Sequence, residues 1–282
     1  MYSCSHNASS ANSASPSSSL WPARFFTGGT ERPRMQVLAD LVADARERDG
    51  VLFRSPERST PYSYRDFATN AWKGGNLLRH YGVRHGTRVA VVVGPKEPSD
   101  DDDPGYLRDG PDALLAFLAA GLDGAVVDVD PPSAVDATAL VAPAAWLDRY
   151  TLGPGTKGLA YGGPVDDPTV AQFERELWSE NPLQPPGELA PDDALLAADR
   201  TYTHGELLAE SRRVAADYGI DAETTVAVRA PMTSAGALVA GLLAPMRVGA
   251  TVVYGDADAA DVAVADGDAP EEVVVRTDEA TP

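Results

Sequence analysis

Two stretches of this 282-residue chain read alike, and that likeness limits the folds open to it. Tyr202-Thr203-His204-Gly205-Glu206-Leu207 echoes Tyr62-Ser63-Tyr64-Arg65-Asp66-Phe67. Tyr218-Gly219-Ile220 echoes Tyr81-Gly82-Val83, and Val226-Ala227-Val228 echoes Val89-Ala90-Val91. Further on, Gly249-Ala250-Thr251-Val252-Val253 echoes Gly124-Ala125-Val126-Val127-Asp128. The order is kept, and the one large change in spacing falls at an acidic insert around Ser99 to Gly110. Two related units give such a pattern; the alternative is a chance likeness of two amphipathic helix–strand segments.

Each copy reads as the same physical object. A Ser or Thr three residues before an acid (Ser63 and Asp66; Thr203 and Glu206) is a capping box that satisfies the free N–H groups of a helix start. Leu207, Leu208, Ser211, Val214 and Ala215 then share one helical face. Gly82 and Gly219 stand where each helix should stop. A short β-branched run follows, Arg88 to Val93 or Thr225 to Val228, then a small-residue helix, Asp112 to Leu122 or Ala235 to Met246. A second strand closes each unit, Ala125 to Val129 or Thr251 to Tyr254. Helix-strand-helix-strand, twice, predicts an α/β protein with two related parallel-sheet subdomains and flanking helices. The expected boundaries are 35–180 for the first subdomain, 181–190 for a proline-rich linker, 191–255 for a shorter second subdomain and 256–282 for an acidic tail. Residues 1–34, Ser-rich and basic, read as a disordered leader or as residues upstream of a true start at Met35; they lack the apolar run of a signal peptide.

Charge narrows the function classes. There are 42 acids against 23 bases, a net of −19, and only Lys73, Lys96 and Lys157 are lysines. Such a surface suits a halophilic source; the alternative is an acidic partner-binding face. No basic stripe is present to neutralise phosphates, so nucleic-acid binding is not expected. Cys4 is the only cysteine, which excludes an intrachain disulfide and a cysteine metal cluster. His6, His80, His85 and His204 form no His-x-x-x-His pair, so no metal site is expected. The most apolar stretches are interrupted by Asp123 and by Pro245 with Arg247, so no membrane span is expected and a cytoplasmic location follows.

Smaller features carry less. Asp100 to Asp103 lack the glycine turn and alternate spacing of a calcium loop and read as a solvated, mobile loop. Leu152-Gly153-Pro154-Gly155-Thr156-Lys157-Gly158 has glycines and a lysine but neither the spacing of a Walker motif nor a preceding hydrophobic strand.

Taken in order, the pieces resemble the front part of the AMP-dependent synthetase and ligase superfamily, the adenylate-forming enzymes that include acyl-CoA synthetases. Pro61-Tyr62-Ser63-Tyr64-Arg65-Asp66-Phe67 is similar to that family's Leu-Thr-Tyr-x-Glu-Leu stretch. Tyr81-Gly82-Val83 with Gly86-Thr87-Arg88-Val89-Ala90 is similar to its Gly-Val-x-x-Gly-Asp-x-Val-Ala segment, and Leu114 to Asp130 resembles the helix and strand beyond it. Pro191 to Leu195 and Thr203 to Leu207 resemble the flanks of the family's phosphate loop, and Pro231 to Val253 the helix that follows. The resemblance implies two similar α/β subdomains, with ATP or AMP, magnesium and CoA as cofactors. It leaves Thr203, His204, Met232, Thr233 and Ser234 as the residues of a vestigial pocket, and no catalytic residue.

The departures bear on activity. Between Leu195 and Thr203 the family places a Thr/Ser-Gly-rich loop ending in Pro-Lys-Gly; here the space holds Leu196-Ala197-Ala198-Asp199-Arg200-Thr201-Tyr202. No glycine there offers its backbone to a phosphate, and Asp199 would repel one. The sequence also ends before the family's adenine- and ribose-binding motifs and its lysine-bearing C-terminal domain. The expectation is a degenerate relative that does not adenylate alone and binds an acyl, nucleotide or CoA fragment or a protein. The alternative is half of a split acyl-CoA synthetase, completed by a partner chain. An unrelated α/β domain with different chemistry would need a nucleophile–base pair, and none is evident.

Overall fold

The two copies fold as helix-strand-helix-strand units and then interlock. In a computed structural model that describes residues 35–58, 60–255 and 260–282, the first copy contributes the helix Tyr64–His80, strand Arg88–Val91, helix Asp112–Leu122 and strand Val126–Asp128. The second contributes His204–Asp217, Thr225–Val228, a helical stretch over 235–248 and Thr251–Val253. The expected leader, residues 1–34, lies outside the described residues.

Local chemistry sets these helices as the sequence implies. Thr203 accepts from the Glu206 N–H at 3.2 Å while the Glu206 carboxylate accepts from the Thr203 N–H at 2.8 Å, a complete capping box. In the first copy Ser63 accepts from the Asp66 N–H at 3.0 Å, but its hydroxyl donates to the Asp66 side chain, so the reciprocal bond is missing. Gly82 and Gly219 end their helices with φ of 91° and 65°, conformations that glycine adopts without a Cβ clash. Every residue of Asp112–Leu122 is buried, as expected of a helix apolar all round.

Strand pairing crosses the boundaries read from the sequence. One sheet has seven strands: Thr201–Thr203, Ala194–Ala197, Val126–Asp128, Arg88–Val91, Ala139–Pro143, Lys157–Tyr161 and Ala171–Gln172. A second has six: Val273–Val275, Val262–Val264, Thr225–Val228, Thr251–Val253, Val51–Arg54 and Tyr62–Ser63, and Ala134–Val135 pairs with Thr151–Leu152 in a small third sheet. The antiparallel hairpin before each copy's helix therefore adds to the other copy's sheet, at the equivalent place. Val51–Arg54 pairs in parallel with Thr251–Val253, and Ala194–Ala197 pairs in parallel with Val126–Asp128. The first residue of each helix ties the exchange. Tyr64 donates its buried hydroxyl to the Ala250 carbonyl at 2.6 Å, and Nδ1 of His204 accepts from the Leu38 N–H at 3.1 Å.

Two further expectations change. Residues beyond 256 were expected to be an acidic tail; among the described ones, Val262–Val264 and Val273–Val275 are strands that extend the second sheet in parallel. Their Val-rich runs need a neighbouring strand to satisfy their N–H and C=O groups, and Thr225–Val228 supplies it. The insert expected to be a solvated loop keeps Asp100, Asp101 and Asp103 exposed, but the chain beside them is docked. Gly105 donates to the Val93 carbonyl and accepts from the Met232 N–H, both at 2.8 Å, and Asp102 pairs with Arg108 at 3.0 Å. The described residues from Met35 onward accordingly form one compact unit. The larger of two core clusters runs through both large sheets and the helices between them, and a smaller one gathers Val92, Leu140 and Trp146, each fully buried Leu, Val or Phe contributing about 1.5–3 kcal/mol.

Candidate functional site

The carboxyl ends of the strands of both sheets converge on a cavity of about 590 Å³, within the size range of small-ligand sites. Asp128 and Asp130 reach it from the end of Val126–Asp128, and Ala197, Ala198 and Asp199 from the hairpin beside it. Thr233, Ser234 and Ala235 come from the start of the helix after Thr225–Val228. Thr277, Asp278 and Thr281 close one side, and Arg88 crosses the sheet face to complete the lining.

Two of the five residues expected in a pocket are there. Thr233 and Ser234 line the cavity, and Ser234 Oγ accepts from the Ala237 N–H at 3.2 Å as a helix cap. The other three do not line it. Thr203 is occupied by its capping box. Met232 is fully buried beneath Gly241. His204 is fully buried as well, and burial depresses its pKa to about 4. Its neutral ring closes the start of the helix Leu38–Arg46, with Nδ1 accepting from the Leu38 N–H. The placement of His204 follows from the hairpin exchange, which turns the start of the His204–Asp217 helix toward Leu38.

The residues that dominate the cavity's field were legible only in part. Asp199 stands out in the sequence as a repulsive group, and it does line the cavity. Asp128 and Asp130 carry a signal that could have been read, acids at the carboxyl end of a parallel strand. Thr277 and Asp278 follow the run Val273-Val274-Val275, which the reading of an acidic tail hid. Four carboxylates, from Asp128, Asp130, Asp199 and Asp278, thus face one guanidinium, Arg88. Arg200, the cation of the hairpin turn, is not part of the lining. It pairs with Glu206 at 3.0 Å and lies over the Tyr202 ring, 3.8 Å from its centre.

The turn itself is short. The Ala198 N–H donates to the Arg200 carbonyl at 2.9 Å, and Asp199 accepts from the Tyr202 hydroxyl at 2.9 Å. No row of free glycine N–H groups faces the cavity from it. Gly236, at the base of the neighbouring helix, is pressed against chain: a Cβ there would lie 1.7 Å from the Thr277 carbonyl oxygen. The Leu152–Gly158 stretch makes no phosphate cradle either. Its ends are strand residues, and Thr156 donates its hydroxyl to the Ala137 carbonyl at 2.7 Å. No group of three or more acidic, His or Cys side chains suited to a metal ion occurs among the described residues.

No protein-family model and no curated protein sequence matches the chain. Solved structures do. The anthranilate CoA ligase AuaEII, in complex with anthranoyl-AMP, is similar with a TM-score of 0.62 at 12% identity, over 81% of this chain and 49% of that one. A benzoate CoA ligase from Burkholderia xenovorans LB400 gives 0.59 at 17% identity, over 81% and 50%. The N-terminal domain of FACL13 from Mycobacterium tuberculosis gives 0.58 at 16% identity, over 81% and 62%. The chain has the fold of the amino-terminal part of the adenylate-forming ligases. It spans about half the length of the full-length ligases it resembles. No helix among the described residues is long and apolar enough to cross a membrane.

Proposed function

We propose that this chain is a ligase-like scaffold that does not form adenylates by itself and acts as a binding or accessory protein. The observation that supports this most is the Ala198–Arg200 turn, which stands where a glycine-rich phosphate loop would be needed and puts Asp199 into the cavity. Adenylyl transfer depends on donors and cations placed around the phosphates. Losing one such donor typically costs about 10²–10³ in rate. Here a loop of donors is replaced by a carboxylate, and the remaining lining carries one cation. The ligand classes that remain are an acyl group, a fragment of CoA or nucleotide held away from the acids, or a protein. The reading includes a cytoplasmic location and a cell interior rich in salt.

Carboxylate-dependent exchange of pyrophosphate into ATP tests it directly, with magnesium, in molar KCl, using benzoate, anthranilate and palmitate as acids. Exchange at the level of the acid-free blank is the expected result. Exchange that depends on any of the three acids would overturn the proposal. A second reading is half of a split ligase, in which a separate chain supplies the phosphate loop and the catalytic lysine. A pull-down at native salt should then recover a chain with those motifs, and its absence would remove that version.

A further inference from the structure

The six-stranded sheet ends on Val273–Val275, which pairs with Val262–Val264 on one side and with no described strand on the other. The Ala265 N–H donates to the Val275 carbonyl at 3.2 Å. Alternate residues of a strand bond to opposite neighbours, so Val273 and Val275 serve the inner strand and Val274 turns its N–H and C=O outward. Among the described residues no group bonds to that N–H or C=O. The other sheet edges are less open. Tyr62–Ser63 and Ala171–Gln172 are two residues each, and in Thr201–Thr203 the Thr203 N–H is taken by Glu206. An unpaired edge is a template for another strand, usually guarded by lysine, proline or a covering segment. Val273–Val275 carries neither residue, and Val273 is 37% exposed.

The flanks of this edge say what fits it. The run is Glu272-Val273-Val274-Val275-Arg276, an acid before the valines and a base after them. Laid antiparallel on a second copy about Val274, it sets Glu272 opposite the partner's Arg276, and Arg276 opposite the partner's Glu272. Glu272, Val274 and Arg276 alternate onto one face of the sheet, so an ion pair flanks the central Val–Val contact on each side. Both charges are available. Glu272 is exposed, and the Arg276 guanidinium donates to the Asp266 carbonyl but meets no carboxylate among the described residues. The same register lets each Val274 N–H donate to the Val274 carbonyl across the pair. Parallel pairing in register would instead bring Glu272 beside Glu272.

We propose that the Val273–Val275 edge joins two copies of this chain as a symmetric dimer, through antiparallel strands centred on Val274. The two six-stranded sheets then run on as one. None of the residues from Glu272 to Arg276 lines the acidic cavity, so neither the presence nor the absence of adenylation bears on the pairing.

Sedimentation equilibrium of the full chain tests the proposal, from micromolar to near-millimolar chain, in about 0.5 M KCl, where ion pairs in contact are incompletely screened. A reversible monomer–dimer equilibrium without larger species is the expected result. Val274→Pro removes the outward N–H and leaves the bonds to Val262–Val264 in place. It should weaken the dimer at least tenfold, with the monomer's unfolding midpoint unchanged. Glu272→Arg and Arg276→Glu should each weaken it to a similar degree, because each sets like charges opposite one another. An equimolar mixture of those two variants should recover the dimer, since the opposed charges are again complementary. A native chain that stays monomeric, assembly beyond the dimer, Val274→Pro dimerising like the native chain, or a mixture no better than its components would each overturn the proposal. Should Arg276→Glu not fold, Val274→Pro and Glu272→Arg decide by themselves.

Discussion

His204 gives the most direct test of how the two copies are joined, because its buried ring has to stay neutral to accept from Leu38. Protonation would place a second N–H against the Leu38 N–H and a charge in the core. Burial holds the pKa at about 4 against the ordinary 6.5. A histidine with a depressed folded pKa binds its proton more weakly when folded than when unfolded. Its contribution to stability is therefore present above 6.5 and lost as the pH falls through 6.5 towards 4, with no further loss below. Between pH 7.5 and 4.5 the loss works out at about 2.5 kcal/mol. Asp112 and Asp123 run the other way: burial raises their carboxyls from 3.8 to about 6 and about 7. Their stabilising effect is present at low pH and lost as the pH rises through those values. Comparing the native chain with His204→Gln cancels both, since glutamine accepts from Leu38 at any pH. Urea unfolding at the two pH values should show the variant gaining about 2.5 kcal/mol on the native chain at pH 4.5 relative to 7.5. A gap that does not change with pH would mean that His204 protonates freely, and the capping role would be wrong.

Other perturbations address the elements that complete the second sheet. Glu271, its side chain fully covered, pairs with Arg229 and accepts from the Ala260 N–H at 3.1 Å. Glu271→Ala should cost about 3 kcal/mol by leaving a partly covered guanidinium without this partner; a loss under 0.5 kcal/mol in denaturant titration would refute that. Gly236→Ala places a methyl group 1.7 Å from the Thr277 carbonyl. It should destabilise by about 1–3 kcal/mol and speed proteolysis near Thr277, whereas an unchanged cleavage rate would show that the contact is loose. The net charge of −19 should make the fold self-repelling at low ionic strength. The thermal midpoint should rise from 0.1 M to 3 M KCl, and a flat or falling midpoint would remove the halophilic reading.

How much of this was legible in the sequence differs by element. Hydrophobic period, caps and glycine stops are local, so the helices from Tyr64 and His204, the parallel strands after them and the likeness of the two copies could all be read directly. The lack of glycine from Leu196 to Tyr202 was legible too, and the structure folds that stretch as two strand ends joined by a turn over 198–200. Pairing was not legible. The strands Val51–Arg54 and Ala194–Ala197 each have a neighbour in the opposite copy, and nothing in a run of apolar residues says which edge it will join. That exchange carried His204 into the core against the Leu38 N–H. The strands Val262–Val264 and Val273–Val275 were hidden in an apparently featureless acidic tail for a related reason: a short Val run becomes a strand only when another strand, here Thr225–Val228, offers it hydrogen bonds. The sequence by itself determined the units and their chemistry; the tertiary structure alone decided which units share a sheet, because backbone pairing is set by distant partners and not by the residues of the strand.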